Sequence, residues 1–254
     1  MIRVIVTEDY QELSYKAAQL LSAQLQKKPE SVIGFATGST PIGMYKELIQ
    51  SYNRKEVDFG QMSTFNLDEY VGLTREHPQS YYHFMQEQLF SHINVRPEKI
   101  SFPPGIFSDA GQACQSYEDA MKAAGGVDLQ ILGIGVNGHI GFNEPDRHFT
   151  LYTHIVELAQ KTIESNARFF GSEDEVPRSA ITMGIKSIMD ARSILLLASD
   201  RNKAEAVRQI FSGKVDPQVP ATVLQLHPDV TLVVDREAAS LLNKEFQTGG
   251  VSVW

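Results

Sequence analysis

The chain of 254 residues carries 31 Asp and Glu against 23 Lys and Arg, a formal net charge of −8 with its 7 histidines neutral. That shortage of cations argues against a nucleic-acid wrapper or a polybasic membrane binder. Hydrophobic residues make up 42% and charged residues 21%, the balance of a globular chain with a full core rather than of a disordered one. Cys114 is the only cysteine, which excludes an internal disulfide and any multi-cysteine metal site and fits a reducing, cytoplasmic setting. The opening MIRVIVTEDYQEL turns acidic at Glu8 and Asp9, unlike a signal peptide. No stretch approaches the roughly 18 apolar residues of a membrane span.

A β-branched run at 2–6 predicts a first strand, and the apolar spacing over 10–26 predicts a helix after it. Strand 32–35 leads to helix 42–51, and strand 63–67 leads to helix 80–90. Helix 108–124 precedes strand 129–134, and strands 193–198 and 230–234 flank a helix at 202–211. This alternation predicts an α/β fold with a mainly parallel sheet and helices on both faces. No repeat, low-complexity tract or linker divides the chain, so 1–254 reads as one domain. The segment 138–177, dense in His, Gly, Pro, Asp and Arg, breaks the rhythm and reads as an excursion over the sheet edge.

Ligands of open α/β sheets bind at the carboxyl ends of the strands, and three such ends carry chemistry. After strand 32–35, the N–H groups of Gly38, Ser39 and Thr40 precede a helix with Pro41 in its first turn, which suits a phosphate as well as it suits an ordinary capped turn. After strand 63–67 stand Asp68 and Glu69. Neighbours in extended chain face opposite ways, so one of them can serve as a general base in a cleft while the other cannot share that task. After strand 129–134, Gly133, Gly135 and Gly138 spell G-x-G-x-x-G. A dinucleotide site needs a helix to open there, and Gly141, Asn143 and Pro145 prevent one. The same loop presents His139 with Asn137 and Glu144 nearby, an acid–base group rather than a metal site, for which a third ligand is lacking.

The motifs ATGSTPIGMY at 36–45, FNLDEYVGL at 65–73, HPQSYYHFM at 77–85, GIGVNGHIGFNEP at 133–145, NARFF at 166–170 and LQLHPDV at 224–230 occur in the same order in one family. By these residues the sequence resembles the glucosamine-6-phosphate deaminases. The resemblance implies a modified doubly wound, Rossmann-like sheet in a single catalytic domain, with a lid at about 145–178. It implies conversion of glucosamine 6-phosphate and water to fructose 6-phosphate and ammonia, with no cofactor and no metal. His139 would open the pyranose ring, and Glu144 and Asn137 would orient and tune its imidazole. Asp68 would move the proton from carbon 2 to carbon 1. The substrate phosphate would be held by Gly38, Ser39 and Thr40 with two cations carried over from the family, Arg168 and Lys203. Read without the resemblance, these two are surface charges.

Some family members carry Asp at the position of Asn137. A neutral amide only hydrogen-bonds where an Asp would act by charge, so Asn137→Asp is expected to shift the pH–rate profile. A 6-phosphogluconolactonase shares the phosphate loop and a Gly-His motif but not the DEY and FNEP segments. A galactosamine-6-phosphate isomerase would use the same residues on an epimer. A sugar-phosphate-binding regulator would lack the base, whereas Asp68, His139 and Glu144 are all present. The short tail after Phe246 and the Asn137 form favour a monomer or small homo-oligomer whose partner is the amino-sugar phosphate alone.

Overall fold

A computed structural model describes residues 2–158, 163, 170, 172, 175–243 and 250–253. The first strand, β1 (Ile2–Thr7), alternates its side chains: Ile2, Val4 and Val6 enter one buried cluster and Ile5 the opposite one. The period of two assigns successive residues to opposite faces of a sheet that is covered on both. Helix α1 (Tyr10–Lys27) begins where the Asp9 side chain accepts the N–H of Glu12, and it buries Leu13, Ala17, Leu21 and Leu25, one stripe at helical spacing.

Strand β2 (Val32–Phe35), helix α2 (Ile42–Asn53) and strand β3 (Ser63–Asn66) follow, then strand β4 (Asp68–Tyr70) and helix α3 (Tyr81–Gln88). Strand β5 (Ile100–Ser101), helix α4 (Ala110–Ala123) and strand β6 (Leu129–Gly133) lead to β7 (His154–Glu157) and β8 (Ser179–Thr182). Helix α5 (Ile185–Met189), strand β9 (Ser193–Ala198), helix α6 (Ala204–Ile210), strand β10 (Val230–Asp235) and strand β11 (Gly250–Val253) complete the order. The main sheet runs β11-β1-β10-β9-β6-β2-β3-β5, parallel except where β11 joins β1 antiparallel. Residues of α1, α2 and α3 build the core on one face, and residues of α4, α5 and α6 build it on the other. The modified doubly wound reading holds.

Two differences from the sequence expectations bear on the site. The strand expected at 63–67 breaks at Leu67, whose N–H donates to the Phe35 carbonyl while its own carbonyl accepts from Met183. Asp68 thereby enters a second, antiparallel sheet of order β4-β8-β7. The excursion at 138–177 supplies β7 to that small sheet. Its mixed polar sequence and short strands hid the pairing, because a strand of four residues leaves too few positions for alternation to declare itself.

Candidate active site

From β2 the chain moves outward to β3 and β5, whereas from β6 it moves the other way to β9 and β10. This reversal opens a crevice between the carboxyl ends of β2 and β6, the place where open α/β sheets bind ligands. A cavity of about 340 Å³ lies there, and it gathers Gly38, Ser39, Thr40, Asp68, His139 and Lys203. Four strand ends contribute these residues: β2, β3 through the Leu67 joint, β6 and β9.

Gly38 has φ +95°, a backbone state that side-chain-bearing residues rarely adopt, so the loop after β2 turns at a glycine. The N–H groups of Gly38, Ser39 and Thr40 have no protein acceptor among the described residues. With α2 beginning just after Pro41, they form a positive helix end open to the cavity. Lys203 closes the same cavity from the other side, at the N-terminus of α6. Burial pushes its ammonium below the usual lysine range, against the opposing pull of Asp200. Arg168 lies outside the described residues.

Asp68 is 6% exposed, and burial, reinforced by the charge of Glu69, pushes its carboxyl up to about 8. Glu69 has a different task. Its carboxylate accepts the backbone N–H groups of Tyr70, Tyr81 and Tyr82 at 2.9, 2.8 and 2.9 Å, which ties β4 to the start of α3. Burial raises the Glu69 carboxyl, and these three donors together with Arg75 oppose the rise. Neighbours of opposite facing are what extended backbone requires.

The loop after β6 turns without a helix through residues 134–150. Gly135 donates to the His139 carbonyl at 2.9 Å, and a Cβ on Gly135 would lie 2.3 Å from the imidazole, so the ring packs flat on that glycine. A dinucleotide has no helix to bind at this G-x-G-x-x-G. His139 Nδ1 sits 2.9 Å from Glu144 Oε1, close enough for an ion pair but without the alignment of a hydrogen bond. Asn137 does not reach the ring. Its Nδ2 donates to Glu144 Oε2 at 2.6 Å, and its Oδ1 accepts the backbone N–H of His139 at 3.2 Å. Burial pushes the Glu144 carboxyl up, but His139 and Asn137 outweigh that and hold it below the usual range.

Sequence reasoning passed over two cavity-lining aromatics, Tyr81 and Phe142, whose rings stack with centroids 6.1 Å apart. The Tyr81 phenol is buried beside Tyr70 and Asp68. Both residues stand inside the family motifs, yet a single aromatic side chain reads as packing rather than as chemistry. A larger groove of about 990 Å³ lies between α4 and β7. Within it Glu118 accepts from Thr153 and Ser187, and Lys186 pairs with Asp190. No group of three or more His, Cys, Asp or Glu suited to a metal occurs among the described residues. No described helix is long and apolar enough to cross a membrane.

Residues 7–233 match the family described as glucosamine-6-phosphate isomerases/6-phosphogluconolactonase. The chain belongs to this family. Within it, the chain is 55% identical to the glucosamine-6-phosphate deaminase of Thermoanaerobacter pseudethanolicus over 96% of each protein. It is 54% identical to that of Halothermothrix orenii, over 95% of this chain and all of the relative. A solved structure described as a monomeric glucosamine-6-phosphate deaminase superposes with a TM-score of 0.90 at 44% identity, covering 94% of this chain and 99% of that one. The 6-phosphogluconolactonase of Thermotoga maritima, at 17% identity and a TM-score of 0.73 over 92% of this chain and all of its own, shares the fold. Among these proteins the chain's sequence likeness is greater to the deaminases than to the lactonase.

Proposed function

We propose that the chain is a glucosamine-6-phosphate deaminase that converts glucosamine 6-phosphate and water to fructose 6-phosphate and ammonia, working in the cytoplasm as a monomer or small homo-oligomer. The observation that carries this reading is one cavity in which a buried carboxyl, a carboxylate-backed imidazole and a set of free amides beside a lysine meet. The deaminase relatives support it.

The phosphate sits against the N–H groups of Gly38, Ser39 and Thr40 with the Lys203 ammonium, and Arg168 joins them as a bidentate clamp. His139, with Nδ1 turned to Glu144, offers Nε2 to the ring oxygen and moves the proton that opens the pyranose. Glu144 stabilises the imidazolium by charge, and Asn137 steadies Glu144. Asp68 removes the proton at carbon 2, giving an enolamine, and returns it to carbon 1. Water then adds to the resulting imine at carbon 2, and ammonia leaves. A carboxyl raised by burial is a stronger base once ionised than an exposed one, which suits removal of a weakly acidic carbon-bound proton. The chain acts as one catalytic domain, with 145–178 as a lid over the bound sugar.

A coupled assay tests the reading. Ammonia and fructose 6-phosphate should appear in equal amounts from glucosamine 6-phosphate without added metal or nucleotide, and turnover only of the galacto epimer or of the lactone would overturn it.

A further inference from the structure

Tyr10, the first residue of α1, is 37% exposed and does not line the cavity, yet its hydroxyl meets three backbone groups of the loop after β2. It accepts the N–H of Gly43 at 2.8 Å and directs its proton to the carbonyls of Ser39 at 3.1 Å and Thr40 at 3.0 Å. In a trans peptide the C=O and N–H point in opposite directions. Holding the Ser39 carbonyl on the α1 side therefore turns the Thr40 N–H away from α1, towards the cavity that Thr40 lines. Close packing admits this arrangement only with glycine at 43: a Cβ there would lie 2.1 Å from Ser14 Oγ and 2.9 Å from the Tyr10 hydroxyl. Glycine at 43 is thus what lets the helix start come within reach of the phenol.

We propose that Tyr10 is a positioning residue that presets the anion loop for the phosphate ester without touching it. The proposal rests on the reading of Gly38–Thr40 as the phosphate site. A preset loop loses less freedom when the ligand arrives, so the hydroxyl acts on affinity and not on the chemistry.

Tyr10→Phe removes the hydroxyl and keeps the ring. Binding of inorganic phosphate by calorimetry, and turnover of glucosamine 6-phosphate, would be measured on the full chain for wild type, Tyr10→Phe and Ser14→Ala. In Tyr10→Phe the phosphate Kd and the KM should rise together by about fivefold, the size of one lost hydrogen bond, with kcat unchanged. Ser14 packs on Gly43 but bonds no loop carbonyl, so Ser14→Ala should leave both constants in place. Unaltered constants in Tyr10→Phe, a fall in kcat at constant KM, or an equal rise in Ser14→Ala would each overturn the proposal. Wild-type protein that neither binds inorganic phosphate nor turns over the sugar would instead remove the phosphate-site reading and this proposal with it.

Discussion

Asp68 and Glu69 are consecutive residues of one short strand, and their carboxylates do unrelated work: that of Asp68 faces the cavity and accepts no hydrogen bond among the described residues, while that of Glu69 is bound by three backbone N–H groups. The difference follows from the alternation of an extended chain.

Replacing Asp68 by Asn keeps the shape and removes the base. We expect kcat to fall by about 10³-fold, within the range of general-base contributions, while KM changes little. Deuterium exchange at carbon 2 should cease. In wild type, kcat/KM should rise with pH towards an inflection near 8, because Asp68 acts only when ionised and burial pushes its carboxyl up to about 8. Exchange that persists in Asp68→Asn would take the proton transfer away from this residue.

Stability should carry the same signature with the opposite sign. Between the usual carboxylate value of about 4 and the folded value of about 8, the native state holds a proton that the unfolded chain has released. Raising the pH through this window therefore removes stability. The Tm of wild type should fall relative to that of Asp68→Asn between about pH 4 and about pH 8, and parallel Tm curves would show that Asp68 is not buried as a neutral acid.

Glu69→Gln should act on folding more than on catalysis. An amide still offers one acceptor to the Tyr70, Tyr81 and Tyr82 N–H groups but loses the charge and the second oxygen, for a loss of about 2 kcal/mol by denaturant titration. Because Tyr81 stands in the cavity wall, KM should rise modestly. Stability equal to wild type would mean that water replaces the carboxylate at no cost.

Asn137→Asp probes the support behind His139. The Asn137 amide donates to Glu144 at 2.6 Å, so an Asp there places two carboxylates in contact and raises the pH at which Glu144 ionises. The part of the kcat/KM profile that Glu144 sets, at pH below the Asp68 inflection, should move to higher pH. An unchanged limb would show that Glu144 does not act through its charge.

Lys203→Met should raise KM about 10-fold or more and weaken inorganic phosphate in proportion, since a half-buried ammonium facing a dianion is only weakly screened. Equal phosphate binding in the two proteins would leave the loop amides as the sole anion site.

The parallel sheet was legible because its strands are buried on both faces and so read as unbroken apolar runs, as in 193–198 and 230–234. The small sheet was not, because β7 is partly exposed and carries His154 and Glu157, a pattern shared with loops. Asp68, His139 and Glu144 were visible as chemistry at strand ends. Which of Asp68 and Glu69 faces the cleft depends on where the chain leaves β3, and no residue at 63–69 declares that joint. Tyr10 lay beyond reach for a related reason: a tyrosine at a helix start is ordinary, and its partners stand about 30 positions away. Lys203 was found only through resemblance, since its burial comes from elements remote in the sequence.

The Leu67 joint makes the identity of the base a matter of counting. Its N–H is fastened to one sheet and its carbonyl to the other, so the parity of the residues between β3 and β4 is fixed. Deleting or inserting one residue between Asn66 and Asp68 would exchange the places of the two carboxylates, sending the helix anchor into the cavity and the proton carrier into the wall. The composition of such a chain would scarcely change. In this molecule the difference between a catalyst and an inert sugar-phosphate binder is a single step of strand phase.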